Sequence, residues 1–121
     1  DNEKFLYPCS ESFDSEITNW LKFHNCEHAT PVLYRIISND ITEVMARNYD
    51  VICFFTPGGV KSLLENFPKF KQNGTTIGAF GANTFKAAEE AGLVLDIKAP
   101  QPQAPSMVSA LEIYLSSLKK K

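Results

Sequence analysis

Three short segments of the chain carry the residue types that bind anions. They are Thr56-Pro57-Gly58-Gly59, Gly81-Ala82-Asn83-Thr84, and residues 101–106. Each combines small residues with a hydroxyl or amide side chain at the predicted start of a helix, where free backbone N–H groups and the helix dipole favour carboxylates and phosphates. The sequence therefore predicts an anionic ligand. The alternative is that the glycines and Thr84 only form tight turns and helix caps. Neither the Rossmann nor the Walker phosphate motif is present.

Tyr34 is the one side chain with a candidate role in proton transfer. Its phenol can donate a proton or hydrogen bond to a leaving group, although an amphipathic tyrosine at a junction between two parts of the chain is the alternative. The segment from His24 to His28 matches the letters H-x-x-E-H of one zinc-peptidase class. Such a site needs a continuous helix and a third ligand, whereas this segment ends a predicted helix and the chain has no further histidine. We therefore predict no metal.

The second part of the chain alternates strands and helices, which positions the three segments. Apolar runs predict strands at 49–55, 75–80 and 93–97, and apolar periodicity predicts a helix after each. The second helix runs from Phe85 to Ala91 and is stopped by Gly92, and Ser106 is the N-cap of the last helix. This βαβαβα order indicates a parallel α/β sheet with right-handed crossovers. Ligands bind such sheets at the carboxyl ends of the strands, where the three segments lie.

The pattern of residues 1–37 predicts a separate strand-helix-strand unit. We predict a strand at 4–9, a helix from Phe13 to His24, and a strand at 31–37. A polar hinge, residues 38–40, follows and caps a short helix through Met45. Because three strands make a narrow sheet, the two parts need not share one core.

The composition and net charge of the chain limit the classes of partner that it is expected to bind. Its 121 residues are 44% hydrophobic and 21% charged, which is typical of a folded single domain. The net charge is -2 and the only basic run is residues 119–121, which argues against nucleic acid. The chain has no membrane-length apolar stretch or signal-like start, so we expect a cytoplasmic protein. Three cysteines without a C-x-x-C pair predict free thiols.

Five segments, in this order and spacing, resemble uroporphyrinogen-III synthase. They are Phe5-Leu6-Tyr7-Pro8-Cys9-Ser10, Val32-Leu33-Tyr34-Arg35, residues 50–60, residues 77–93 and Ala99-Pro100-Gln101-Pro102. The resemblance covers nearly all of the chain but only the C-terminal half of the family, whose members are about twice as long. It implies two α/β domains with parallel, three-layer, flavodoxin-like sheets and a cleft between them. Residues 1–33 would end the second domain, 34–39 would form the connection, and 40–121 would return to the first domain.

The resemblance also implies a reaction. The family is a cyclising hydro-lyase of haem biosynthesis: it converts the linear tetrapyrrole hydroxymethylbilane to uroporphyrinogen III with loss of water and inversion of ring D, without a cofactor or metal. The substrate carries eight carboxylates, in agreement with the anion-binding segments. We expect the chain to be a fragment that is inactive without a missing N-terminal half.

Site residues carried over from the family follow the same segments. Tyr34 would assist departure of the hydroxyl as water. The substrate-binding residues would be Thr56, Gly58, Gly59, Val60, Gly81, Asn83 and Thr84, with Ser10 in a loop of the second domain. Ala82 and Asn83 depart from the Gly-Pro-Thr-Thr loop of the family. The alternatives are an inactive anion-binding or regulatory module of this fold, and an unrelated receiver-like or flavodoxin-like domain.

Overall fold

The computed structural model describes residues 2–11 and 15–120, and the chain divides into two units, Asp1–Ser38 and Asn39–Lys121. The predicted helix start at Phe13 lies outside the described residues. No helix in the described ranges is long and apolar enough to cross a membrane.

The described residues of the first unit form two small parallel sheets and one helix. Its elements are β1 (Lys4–Leu6), β2 (Cys9–Ser10), α1 (Ser15–Phe23), β3 (Glu27–Ala29) and β4 (Val32–Tyr34), with β1 paired to β3 and β2 paired to β4. The predicted strand at 4–9 is divided at Pro8, which has no N–H to donate to a strand ladder. Strand β3 was not predicted, because three residues containing two polar side chains give no alternating pattern. The strand predicted at 31–37 is observed only at Val32–Tyr34.

The second unit contains one parallel sheet. A 3₁₀ turn (Val44–Ala46) replaces the predicted short helix and precedes β5 (Val51–Phe54), α2 (Pro57–Asn66), β6 (Thr76–Phe80), α3 (Ala82–Glu90), β7 (Ile97–Ala99) and α4 (Met107–Leu118). The strands lie in the order β5-β6-β7, all parallel. This confirms the mixed α/β class with parallel strands. The flavodoxin-like, three-layer, two-domain assignment stays a prediction.

The third strand of the sheet lies further along the chain than predicted, at Ile97–Ala99 instead of 93–97. Leu93 is buried in a core cluster, and the backbone N–H and C=O of Val94 are both bonded to the side chain of Gln72. These groups are therefore not available to a strand ladder. Pairing begins only where Ile97 lies beside Gly78 of β6.

Two apolar clusters pack on the sheet of the second unit. Along β5, Ile52 and Phe54 belong to the first cluster, and Val51 and Cys53 contact the second, as expected for side chains that alternate between faces. The first cluster includes Val60, Leu63, Ile77, Ala88 and Leu93; the second includes Ile97, Ala99, Ala104, Met107 and Ala110. Helices α2 and α3 thus pack with the first cluster and α4 with the second, which fixes the starts of all three helices.

Candidate functional site

The three predicted anion-binding segments lie at one edge of the sheet in the second unit. Because β5, β6 and β7 are parallel, their carboxyl ends meet at that edge. The backbone N–H of Gly81 donates to the carbonyl oxygen of Ala99 over 2.7 Å, which joins the start of α3 to the end of β7. The rings of Phe55 and Phe80 stack with centroids 6.1 Å apart, directly after β5 and at the end of β6. We refer to this region as the carboxyl edge.

The start of α2 is capped by Thr56. This residue is extended, and its Oγ1 accepts a hydrogen bond from the backbone N–H of Gly59 over 3.1 Å, while Pro57 occupies the first helical position. The N–H of Gly59 is therefore already bonded within the protein, and the side chain of Val60 is buried in the core. The exposed groups left to an anion are the Thr56 hydroxyl proton and the N–H of Gly58.

The start of α3 differs because no side chain caps it. Gly81 lies before the helix at φ 87°, a conformation that favours glycine, and makes no side-chain cap bond. The first-turn N–H groups belong to Ala82, Asn83 and Thr84, which have no acceptor four residues earlier within the helix. Ala82 and Asn83 are exposed, whereas the side chain of Thr84 is only 2% exposed. Thr84 therefore offers this edge its backbone N–H rather than an open hydroxyl.

The start of α4 has a reciprocal side-chain cap, a capping box. Ser106 Oγ accepts from the N–H of Ser109 over 3.1 Å, and Ser109 Oγ accepts from the N–H of Ser106 over 3.0 Å. Just before it, Gln101 and Ala104 exchange two backbone hydrogen bonds of 2.9 Å each. The predicted cap at Ser106 is confirmed. Its partner Ser109 was missed, because the residue that usually signals a capping box three positions after the cap is Glu or Gln and not Ser. Of the three helices at the carboxyl edge, α3 alone lacks a side-chain cap.

Tyr34 and Ser10 lie opposite each other in the register of β2 and β4 in the first unit. The expectation that Ser10 lies in a loop is wrong, because β2 pairs with β4 and leaves Ser10 only 6% exposed. The backbone N–H of Glu11 donates to the carbonyl oxygen of Tyr34 over 3.1 Å. The Tyr34 side chain is 57% exposed, so its phenol is accessible.

The two histidines lie in different segments of the first unit. His24 follows α1, with Nδ1 2.9 Å from the Trp20 carbonyl oxygen and its ring stacked on that indole at a centroid distance of 4.0 Å. His28 lies in β3, with Nδ1 2.8 Å from the carbonyl oxygen of Cys26. Within residues 2–11 and 15–120, no three His, Cys, Asp or Glu side chains are close enough to hold a metal ion.

Among the described residues of the second unit, two ionisable groups have shifted pKa values. Burial raises the pKa of the Cys53 thiol in β5, which keeps it protonated and a poor nucleophile at neutral pH. Hydrogen bonds from the side chain and backbone N–H of Thr42 lower the pKa of Asp40. Neither group lies in the three segments, so neither alters the anion-binding character of the carboxyl edge.

Fold and site together define an α/β protein that presents helix N-termini at the carboxyl edge of a parallel sheet. Residues 1–109 match the family model of uroporphyrinogen-III synthase HemD, and the chain belongs to that family. The family acts on a small tetrapyrrole substrate in tetrapyrrole biosynthesis. The resemblance inferred from the sequence is thereby confirmed. Comparisons with curated proteins and with solved structures found no match.

Proposed function

We propose that the protein is a uroporphyrinogen-III synthase that cyclises hydroxymethylbilane with inversion of ring D and loss of water. Family membership over residues 1–109 supports the tetrapyrrole substrate. The observation that carries the proposal is the uncapped start of α3 beside the Thr56 segment at the carboxyl edge. A substrate with eight carboxylates matches an edge built from free N–H groups better than a neutral ligand would.

In this proposal, α3 receives one substrate carboxylate. The donors are the N–H groups of Ala82, Asn83 and Thr84, and the helix dipole adds about 0.3–1 kcal/mol for an exposed anion. The Thr56 hydroxyl and the Gly58 N–H would bind a second carboxylate on the same edge. Ser10 is not assigned a substrate contact in this proposal, because the whole residue is only 6% exposed.

The free energy of such contacts is sufficient for the isomer selectivity that the reaction requires. Unassisted cyclisation gives the uninverted type I isomer, so the enzyme must make the inverted route faster by holding the chain in the right shape. A preference of about 100 to 1 requires about 2.7 kcal/mol of differential stabilisation of the transition state. A few charge-assisted hydrogen bonds, each contributing about 1.5–3 kcal/mol, supply that difference if they form in the inverting geometry.

Departure of the hydroxyl group requires a proton donor, and we assign that role to Tyr34. The C–O bond of the terminal hydroxymethyl group breaks, and the oxygen leaves as water with a proton from the phenol. The exocyclic carbon that remains then forms a new bond to the last pyrrole ring, and the proton which that ring loses returns to the phenolate. The exposure of Tyr34 supports this role. The domain assignment 1–33, 34–39 and 40–121, a missing N-terminal half and a cytoplasmic location are parts of the same proposal.

The ratio of type III to type I product tests this function. Freshly prepared hydroxymethylbilane is incubated with a parent protein that contains these residues, with the 121-residue chain, and without protein. We expect type III to predominate with the parent only, and Tyr34→Phe to slow its formation. A parent ratio equal to the protein-free control would overturn the proposal and favour a non-catalytic anion-binding module.

A further inference from the structure

The second unit contains a cavity at the edge of the sheet opposite to the carboxyl edge. It has a volume of about 810 Å³ and is lined by residues from the segments 45–52 and 66–75, which precede β5 and β6. Small-molecule sites in proteins are typically about 300–1,000 Å³. Strand β6 separates the two edges by about 13 Å, at about 3.3 Å for each of four steps. The cavity is therefore distinct from the carboxyl edge.

Three cations line this cavity. They are Arg47, Lys69 and Lys71, and Asp50 is the only acidic side chain in the lining. Among the described residues, ion pairs join five other cations to carboxylates and include none of these three. Because the whole chain has a net charge of -2, this concentration of unpaired positive charge is local. It favours an anionic group in the cavity.

The lining also contains apolar and aromatic side chains, beside neutral polar ones such as Asn66 and Gln72. Met45, Ile52, Phe67 and Phe70 all line the cavity and are partly buried against the first core cluster. The Tyr49 hydroxyl donates to the carbonyl oxygen of Val44 over 2.6 Å, which leaves its ring as the part presented to a ligand. An aromatic ring would gain both burial and ring-to-ring contact here.

Hydrogen bonds hold the walls in place. The Asn66 side chain accepts from the N–H of Ile41 over 3.1 Å and donates to the carbonyl oxygen of Asn39 over 3.0 Å, which ties the 39–41 segment to the end of α2. The N–H of Phe70 donates to the carbonyl oxygen of Phe67 over 2.9 Å, so Lys69 lies within a closed turn. The cavity is thus preformed, which lowers the entropic cost of binding.

We propose that this cavity is a second ligand site, which binds a small organic anion with an aromatic body and a carboxylate. The ring would lie on the apolar floor, and Arg47, Lys69 and Lys71 would neutralise the carboxylate. The proposal does not depend on the proposed function, because no residue of the carboxyl edge takes part in it.

Binding of 2-naphthoate to the whole chain tests this site. Titration calorimetry at about 0.15 M salt, where long-range charge effects are screened, compares 2-naphthoate with the neutral 2-naphthalenemethanol and with inorganic phosphate. We expect 2-naphthoate to bind at least ten-fold more tightly than either. Equal binding of the neutral analogue, equal binding of phosphate, or no binding of 2-naphthoate would overturn the proposal.

A pair of double variants separates the cavity from net charge. Lys69→Gln with Lys71→Gln removes two cavity cations, and Lys119→Gln with Lys120→Gln removes two cations at the end of α4. We expect at least ten-fold weaker 2-naphthoate binding in the first variant, an unchanged affinity in the second, and unchanged melting temperatures in both. Equal weakening in both variants would contradict a specific site.

The position of bound 2-naphthoate provides an independent readout. Backbone amide NMR shifts on titration should concentrate at Ile52, Phe67 and Phe70. Shifts concentrated instead at Gly81 and Asn83 would place the ligand at the carboxyl edge and overturn the proposal without bearing on the proposed function.

Discussion

Gln72 and Val94 are joined by two hydrogen bonds: Gln72 Nε2 donates to the Val94 carbonyl oxygen over 3.0 Å, and the Val94 N–H donates to Gln72 Oε1 over 2.9 Å. The same Nε2 lies 2.9 Å from the carbonyl oxygen of Thr75. The side-chain amide thus satisfies the backbone groups that a neighbouring strand would otherwise bind. It holds the segment before β7 out of the sheet and sets where β7 begins.

Replacing this amide should destabilise the second unit. Gln72→Leu removes both bonds to Val94, and because Val94 is exposed, water compensates part of the loss, so we expect a cost of about 1 kcal/mol. Urea denaturation measures this change. Gln103→Leu is the matched control, since within the described part of the chain the Gln103 side chain bonds only to the exposed Gln101 side chain. This substitution should change stability by less than about 0.5 kcal/mol. Equal losses of stability in both variants would show that the hydrogen bonds between Gln72 and Val94 do not stabilise the second unit.

Gly78 lies where the sheet leaves only tight space for a side chain. A Cβ at this position would be 3.2 Å from Cys53 Sγ and 3.4 Å from Met107 Sδ. We therefore expect Gly78→Ala to cost about 1–2 kcal/mol, and Cys53→Ala to relieve much of that cost in the double variant. Denaturation of the wild type, the two single variants and the double variant gives the coupling. A cost that is the same with and without the Cys53 sulfur would refute this contact as the cause.

The Cys53 thiol should react with alkylating agents only at high pH. Burial raises its pKa, so at a given pH it holds less thiolate than an ordinary cysteine, whose pKa is about 8.5, and thiolate is the reactive form. We expect the pH midpoint for iodoacetamide modification of Cys53, followed by peptide mass mapping, to lie above that of the same residue in the denatured chain. A midpoint at or below the denatured value would contradict the expected direction.

Thr56 should contribute to the fold as a cap and to substrate binding as a donor. Thr56→Val removes the acceptor for the Gly59 N–H and should cost about 1 kcal/mol of stability, whereas Thr56→Ser retains the hydroxyl and most of that stability. In the parent protein, we expect Thr56→Val to raise the KM for hydroxymethylbilane and Thr56→Ser to leave it within about two-fold. If Thr56→Ser and Thr56→Val raise the KM equally, the Thr56 hydroxyl is not a substrate contact.

The sequence predicts the core elements of the second unit well, and the errors have physical causes. The apolar run of β5 and the Gly92 turn after α3 are found as expected, because burial and positive φ leave clear residue signatures. Strand β7 is misplaced because its start depends on the distant Gln72 side chain. Strand β3 is missed because it is short and partly polar.

The candidate site was only partly predictable from the sequence, because part of it depends on the geometry of side chains. The three segments at the carboxyl edge follow from strand order and glycine positions. Which helix start stays uncapped depends on the side-chain geometry of Thr56 and Ser106, which composition does not reveal. The opposite cavity was not predicted, since its cations come from two segments separated by more than one element.

The most direct test of the account is the effect of Asn83→Asp in the parent protein. A fixed carboxylate in the first turn of α3 should stabilise the helix by about 0.3–1 kcal/mol but compete with a substrate carboxylate for the same N–H groups. Asn19→Asp, in the exposed part of α1, is the isosteric control. We predict that Asn83→Asp raises the KM for hydroxymethylbilane about ten-fold together with a slightly higher Tm, while the control changes neither. An unchanged KM with the Tm increase would show that α3 does not receive the substrate.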